Sequence, residues 1–398
     1  MWLQFIMSVP LLCSSGYLVC ASDEIENKDT RFSLLHSMFP LEKEEESKDI
    51  TSKQSGLALP LKPWSNGLGV SGDGSRVVGD YYIVATRSTK GFRWTRGIGM
   101  ESLGTLNGGP WSVARSANGD GSVVVGHSGD GAAQYNSEKA VRWTVELGGT
   151  NIESLGTLNG GMGSVASGVN NDGSVVVGYA MDGTDGNRRK AVRWTVGTGM
   201  KSLGNLNGGM DSVASGVNND GSIVVGTAKD GADQYNREKA VRWTVGLGGT
   251  NIESLGTLNG GPWSDAYGVS KDGSVVVGVA ADGAQNNRRT AFRWMAGTGM
   301  ESLGTLNGGL SSTAYGTNKD GSVVVGSSED GADENIKKAF RWTAATGMAP
   351  LGTTGEFSTA TDINEEGDVI VGTVIRSRVM VFRWTQDTGI VHLGIPSE

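Results

Sequence analysis

One dipeptide sets the terms for this chain. Arg-Trp occurs at Arg93-Trp94, Arg142-Trp143, Arg193-Trp194, Arg242-Trp243, Arg293-Trp294, Arg341-Trp342 and Arg383-Trp384, with the tryptophans 49, 51, 49, 51, 48 and 42 residues apart. Around each copy runs the same unit, written in one case Gly168-Val169-Asn170-Asn171-Asp172-Gly173, then Ser174-Val175-Val176-Val177-Gly178. Lys190-Ala191-Val192-Arg193-Trp194-Thr195 and Met200-Lys201-Ser202-Leu203-Gly204 follow. Units of this size cannot bury a hydrophobic face alone, so the 398 residues must fold as neighbours covering neighbours.

Each unit holds four strand-sized pieces. The first is short, as in Ala166-Ser167-Gly168-Val169-Asn170. Asp-Gly follows at Asp73, Asp120, Asp172, Asp220, Asp272 and Asp320, with Glu366-Gly367 in the last copy, and predicts a tight type I′ hairpin. The second piece is a run such as Val175-Val176-Val177, which is apolar on both sides and must be covered on both faces. In the third, Ala140, Arg142 and Thr144 alternate with Val141 and Trp143. The fourth runs through Ile152-Glu153-Ser154-Leu155-Gly156-Thr157-Leu158 and ends in Asn-Gly-Gly.

Four short strands per repeat predict an all-β protein, a β-propeller of seven four-stranded blades over residues 57–398. A parallel β-solenoid is the rival, weakened by the hairpin signals. Residues 57–61 echo the fourth piece, giving eight such copies against seven of the others, and are expected to help seal the ring. Residues 139–161 recur almost letter for letter at 239–261, so most copies share one structural role and no single blade stands out as catalytic.

At the third piece, Lys338-Ala339-Phe340-Arg341-Trp342 and Thr290-Ala291-Phe292-Arg293-Trp294, followed by Gly-Met-x-x-Leu-Gly-x-Leu or a close variant, resemble the bacterial extracellular HAF repeat. The resemblance covers roughly residues 57–393. It implies a secreted or surface-exposed protein, in some cases the passenger of an autotransporter. The His of the His-Ala-Phe triplet is replaced here by Lys or Thr, and by Met380 in the last copy, so no role of that His carries over.

The N-terminus is different material. Residues 1–21 carry no charge and read as a signal peptide for export; both cysteines, Cys13 and Cys20, lie within it, so a mature chain has no disulfide or thiol chemistry. Residues 22–56, with Glu42-Lys43-Glu44-Glu45-Glu46, read as a disordered, charged linker. No later stretch is long enough to span a bilayer as a helix, and the net charge of −8 argues against a nucleic-acid partner.

The tryptophans of the Arg-Trp pairs read as core, and their arginines as pairing with a carboxylate or with carbonyls between blades. Trp64, Trp111 and Trp263 differ, because they follow the turn into a first strand, around the mouth of the central channel; an aromatic rim there can grip sugars or peptides, and local plugs of the blade tops are the plainer reading. The connections between second and third strands, 130–138, 182–189, 230–238, 282–289 and 330–337, are polar and variable. Within them Asp182 with Asp185, Asp230 with Asp233 and Asp330 with Asp333 offer oxygen ligands of the kind calcium takes, without the denser acidic ladder of an EF-hand; polar turns are the plainer reading, and no cofactor is required. The three histidines show no metal spacing, and no nucleophile elbow or phosphate loop occurs. The expected protein is a monomeric, non-enzymatic binding or adhesion module for surface carbohydrate or protein. The alternatives are a structural display domain or autotransporter passenger, and a propeller glycoside hydrolase or lyase.

Overall fold

The computed structural model describes residues 62–133, 137–146, 149–352 and 356–395. These form seven four-stranded antiparallel sheets, in residues 65–102, 112–154, 164–202, 212–254, 264–302, 312–350 and 357–392. Strand order within every sheet follows the chain, so each blade comes from one contiguous stretch. First strands touch their counterparts in both neighbouring blades all the way round, and Ser65–Val70 meets Phe357–Ile363. The protein is a closed seven-bladed propeller. The expected signal segment, the linker and the proposed seal at residues 57–61 lie outside the described residues.

The Val runs show why the blades must stack. Val175 and Val177 join Ala214, Val224 and Trp243 of blade 4, while Val176 joins Val123, Val125 and Ala140 of blade 2. The core is therefore a set of layers between sheets. At the closing seam the layer is Val70, Val77 and Phe92 against Val369, Val371 and Val381. The glycine ending each run also has a reason. The first strand bulges opposite it, with Ser167 the extra residue in blade 3, and a Cβ on Gly178 would sit 2.0 Å from the Val165 carbonyl oxygen.

The Asp-Gly hairpins form, but not as type I′ turns. That type needs positive φ at two residues, whereas here Gly173 has φ 76° and Asp172 is not left-handed. The turn is wider: the Gly173 N–H donates to Asn170 O, and Asp172 Oδ1 accepts the Ser174 N–H at 2.9 Å. The fourth strand also ends sooner than expected, at Ser154 in blade 2, leaving Leu155 and Leu158 as buried anchors of the passage to the next blade.

Two rings of hydrogen bonds join the blades. In the first, a third-strand N–H donates to the serine that opens the next blade. Gly91, Ala140, Ala191, Ala240, Ala291 and Ala339 bond Ser112, Ser164, Ser212, Ser264, Ser312 and Ser358, each at 2.9 Å. Val381 N–H closes this ring on Ser65 Oγ at 3.2 Å. In the second ring the wide turns bond one another: Asp73 N–H to Gly119 O, Gly119 to Asn171, Asn219 to Lys271, Lys271 to Lys319, Lys319 to Glu365 and Glu365 to Gly72, at 2.9–3.1 Å. Asn170 Nδ2 supplies the remaining step, to Asn219 O at 3.2 Å. Among the described residues no strand is exchanged between blades at the closure.

The Arg-Trp tryptophans are not uniformly core. Trp143 and Trp243 are fully buried, while Trp94, Trp194, Trp294, Trp342 and Trp384 are half-buried. In blades 2 and 4 the outer hairpin is longer, so Val145 and Ile152, or Val245 and Ile252, pack around the ring. The arginines divide as their neighbours dictate. Arg142 and Arg242 reach Glu153 and Glu253 across their own hairpins at 2.9 and 3.0 Å. Arg193 faces Lys201 in the register and instead donates from Nε to Gly221 O of the next blade at 3.3 Å.

Candidate ligand-binding face

Antiparallel order puts the second-to-third loops and the blade-to-blade passages at one end of every sheet, opposite the ring of turns. Here the Asn-Gly-Gly passages clamp onto the loops. Asn107, Asn159, Asn207, Asn259 and Asn307, all with φ near 48–49°, donate from Nδ2 to Asp130, Asp182, Asp230, Asp282 and Asp330 at 2.7–2.8 Å. This clamp fixes the height and direction of the rim.

The acidic candidates are drawn into that clamp. Asp182 Oδ1 accepts from Asn159, the Thr184 N–H and the Thr184 hydroxyl, and the Asn159 bond first, then Thr184, hold its carboxyl below the usual range. Asp185 Oδ2 lies 2.6 Å from Lys190 Nζ. Asp230 Oδ1 accepts from Asn207 and the Ala232 N–H, and Asp233 Oδ1 from the Tyr235 N–H, with Lys239 Nζ 3.7 Å from Asp233 Oδ2. The two pairs sit on neighbouring blades, each within its own loop. Among the described residues no group of three or more acidic or histidine side chains is arranged to hold a metal.

Trp64, Trp111 and Trp263 occupy one equivalent position, in blades 1, 2 and 5, and each is half-buried. Trp64 stacks on Tyr82 at 5.8 Å, Trp111 meets His127 edge-on at 5.4 Å, and Trp263 lies beneath the Arg289 guanidinium at 5.0 Å. The remaining blades supply a large apolar side chain at or next to this position. Met162, Met210, Leu310 and Phe357 are 46–67% exposed. Every blade thus presents one large apolar group on this face.

Blade 1 differs from its lysine-bearing counterparts. In blades 3, 4 and 6 the third-strand lysine is clasped by a loop carboxylate: Lys190 by Asp185, Lys239 by Asp233, and Lys338 by Asp330 and Asp333. The loop of blade 1 is Val84-Ala85-Thr86-Arg87, without an acid, and Arg87 is held at φ 52°. Lys90 donates to Pro110 O at 3.5 Å and, among the described residues, neither Lys90 nor Arg87 pairs with a carboxylate. These residues, with Ser88, Thr89, Pro110 and Trp111, line an open cleft of about 490 Å³.

Beneath the same seam lies a buried polar chain. Asn66 Nδ2 donates to Asp80 Oδ1 at 3.5 Å, and Asp80 is only 1% exposed. Burial pushes its carboxyl up to about 7, against the opposing pull of Asn66 and Arg115. Arg115, the bulge residue of blade 2, donates from Nε to His127 Nδ1 at 3.3 Å. The imidazole proton is therefore on Nε2, 3.5 Å from Glu138 Oε1. Burial and then the Arg115 charge hold His127 well below 6.5, so it is neutral.

Sequence reasoning singled out Trp111 but passed over Arg87, Lys90, Asp80 and Arg115, and took His127 only as one of three histidines without metal spacing. The signal was present as a departure: the other blades carry Tyr179, Thr227, Val279, Ser327 and Thr373 where blades 1 and 2 carry Asp80 and His127.

No family model matches the chain, and no curated protein does. Solved structures share the architecture. An oligogalacturonate lyase from Vibrio parahaemolyticus is similar at a TM-score of 0.54 and 13% identity, over 80% of this chain and 88% of that one. The β-propeller domain of the trilobed protease of Pyrococcus furiosus, described as having an open velcro topology, gives 0.53 and 10%, over 84% and 99%. A puromycin-hydrolyzing peptidase of Mycobacterium tuberculosis gives 0.54 and 15% over 84% of this chain, which spans about half of that one, 53%. At these identities the likeness is one of fold.

Proposed function

We propose that this chain is a secreted or surface-exposed binding module, presenting the loop face of its propeller to a carbohydrate or protein ligand. The carrying observation is the repeated apolar rim, Trp64, Trp111, Met162, Met210, Trp263, Leu310 and Phe357, one group per blade on a face whose backbone is clamped. Exposed apolar groups set in a polar surround are what a recognition surface needs. No helix among the described residues is long and apolar enough to cross a membrane. The resemblance of the repeats to extracellular HAF repeats supports the location outside the cell.

The test is binding of the purified chain to an array of glycans and extracellular-matrix proteins, beside Trp111→Ala and Trp263→Ala variants. Saturable binding by the parent, lost in variants that melt like it, supports a recognition module. Absence of binding by a well-folded sample favours a display scaffold or passenger. Turnover of a bound glycan favours the hydrolase or lyase reading.

A further inference from the structure

Resting on that reading, we infer that the cleft between blades 1 and 2 is a subsite for an anionic saccharide, with Arg87 and Lys90 taking its acid group and Trp111 its ring. The argument is a comparison of equivalent positions within one molecule. In blades 3, 4 and 6 the third-strand lysine is neutralised by a carboxylate of its own blade at 2.6–3.7 Å. In blade 1 the carboxylate is missing, an arginine stands in the loop, and the space beside the two cations is a cleft of about 490 Å³. That size suits a small ligand.

Burial lowers the pKa of Lys90 from its ordinary value, which marks a cation held without full compensation. An anion entering the cleft would take the place that Asp185 occupies beside Lys190. The other lining groups say what should carry the anion. Thr86, Ser88 and Thr89 also line the cleft, as do the apolar Pro110 and Trp111. Hydroxyls together with an aromatic ring suit a sugar, polar at its edge and apolar on its face. A guanidinium takes a carboxylate or a sulfate in the same bidentate way, so either acid group meets the requirement.

The experiment is calorimetric titration of the full chain with four probes: a hexuronate tetrasaccharide, a sulfated heparin tetrasaccharide, neutral cellotetraose and a poly-glutamate peptide. Binding of either acidic saccharide and not of cellotetraose is expected, weakening as salt rises from 50 to 500 mM. The two acidic arms decide between carboxylate and sulfate. Arg87→Gln, Lys90→Gln and Trp111→Ala should each weaken it tenfold or more with melting unchanged, and Lys319→Gln on the opposite face should leave it as it was. If a variant melts early, the salt dependence and the cellotetraose arm of the parent still decide. Equal binding of cellotetraose, or indifference to Arg87 and Lys90 with Trp111 still required, overturns the anionic assignment and leaves the binding face standing. Preference for poly-glutamate overturns the saccharide. Silence of all four probes here and of the array above defeats both readings.

Discussion

Asp80 allows the seam between blades 1 and 2 to be tested through pH. Folding lifts its pKa from 3.8 to about 7, chiefly by burial. Below about pH 4 the carboxyl is protonated in both states and makes no difference. Between about 4 and 7 the folded state keeps a proton that the unfolded chain has released, so stability falls as pH rises; above 7 the loss is complete. A displacement of that size corresponds to about 4 kcal/mol. Asp80→Asn keeps an acceptor for Asn66 Nδ2 and removes the ionisation. It should therefore stabilise the ring by about 4 kcal/mol at pH 8, equivalent to about 6 °C in Tm for a ring of roughly 330 residues, and do almost nothing at pH 4.

The assay is thermal and urea unfolding of parent and variant at pH 4, 6 and 8. A growing advantage of the variant with pH is the expected result. The opposite reasoning is that Arg115, also buried, keeps Asp80 ionised as its counter-charge. Asp80→Asn would then leave a buried guanidinium short of its partner and lower stability at pH 8 by several kcal/mol. A fall in Tm at pH 8 refutes the argument from burial.

His127 works in the other direction. Its folded pKa lies well below 6.5, so its neutral form is favoured and stability is lost as pH falls below 6.5; the parent should lose up to about 1.4 kcal/mol per pH unit that His127→Gln does not, and parallel pH profiles of the two would count against it. Ser264→Ala leaves the Ala240 N–H and the Gly256 carbonyl without their shared serine and should cost about 1–3 kcal/mol in urea unfolding. Ser65→Ala, whose bonds are longer at 3.2 and 3.5 Å, should cost less, and a larger cost at Ser65 would show that this latch bears the closure. Gly178→Ala forces a methyl to within 2.0 Å of Val165 O and should cost about 3 kcal/mol or more, or prevent folding; a variant that melts like the parent would mean the bulge yields.

The architecture was legible because it rests on periodic side chains. Val175-Val176-Val177 can only be a strand covered on both faces, and such a run recurs in six of the seven repeats, with Val77-Val78 in the first. The turn type was misread because Asp-Gly has the composition of a two-residue hairpin, whereas the neighbouring Asn170 accepts the Gly173 N–H and widens the loop. The serine latches were overlooked because Ser65, Ser112 and their counterparts look like ordinary polar residues beside the tryptophans. Their role appears only when the preceding blade's carbonyl and N–H arrive at the same hydroxyl, as Gly104 O and Gly91 N–H do at Ser112. The full burial of Trp143 but not Trp94 likewise depends on hairpin length rather than on the repeated motif.

A ring built from near-identical blades has a consequence for where recognition can sit. Any group demanded by the fold must occur in most copies: the Gly178 type at the bulge and the Asn159–Asp182 clamp. A single ligand cannot be matched by seven equal seams at once, so specificity has to come from a seam that abandons the shared solution. Between blades 1 and 2 two departures do so together, beside a rim tryptophan of the kind blade 5 also carries. The loop holding Arg87 lacks the clasping acid, and the layer beneath holds Asp80, Arg115 and His127 where other blades place apolar or hydroxylic residues. A buried chain of that kind is costly to maintain unless it holds the wall above it in one orientation, and His127 does touch Trp111 edge-on. The repeat thus supplies rigidity, and its one concentrated exception supplies the place where a ligand can be told from any other.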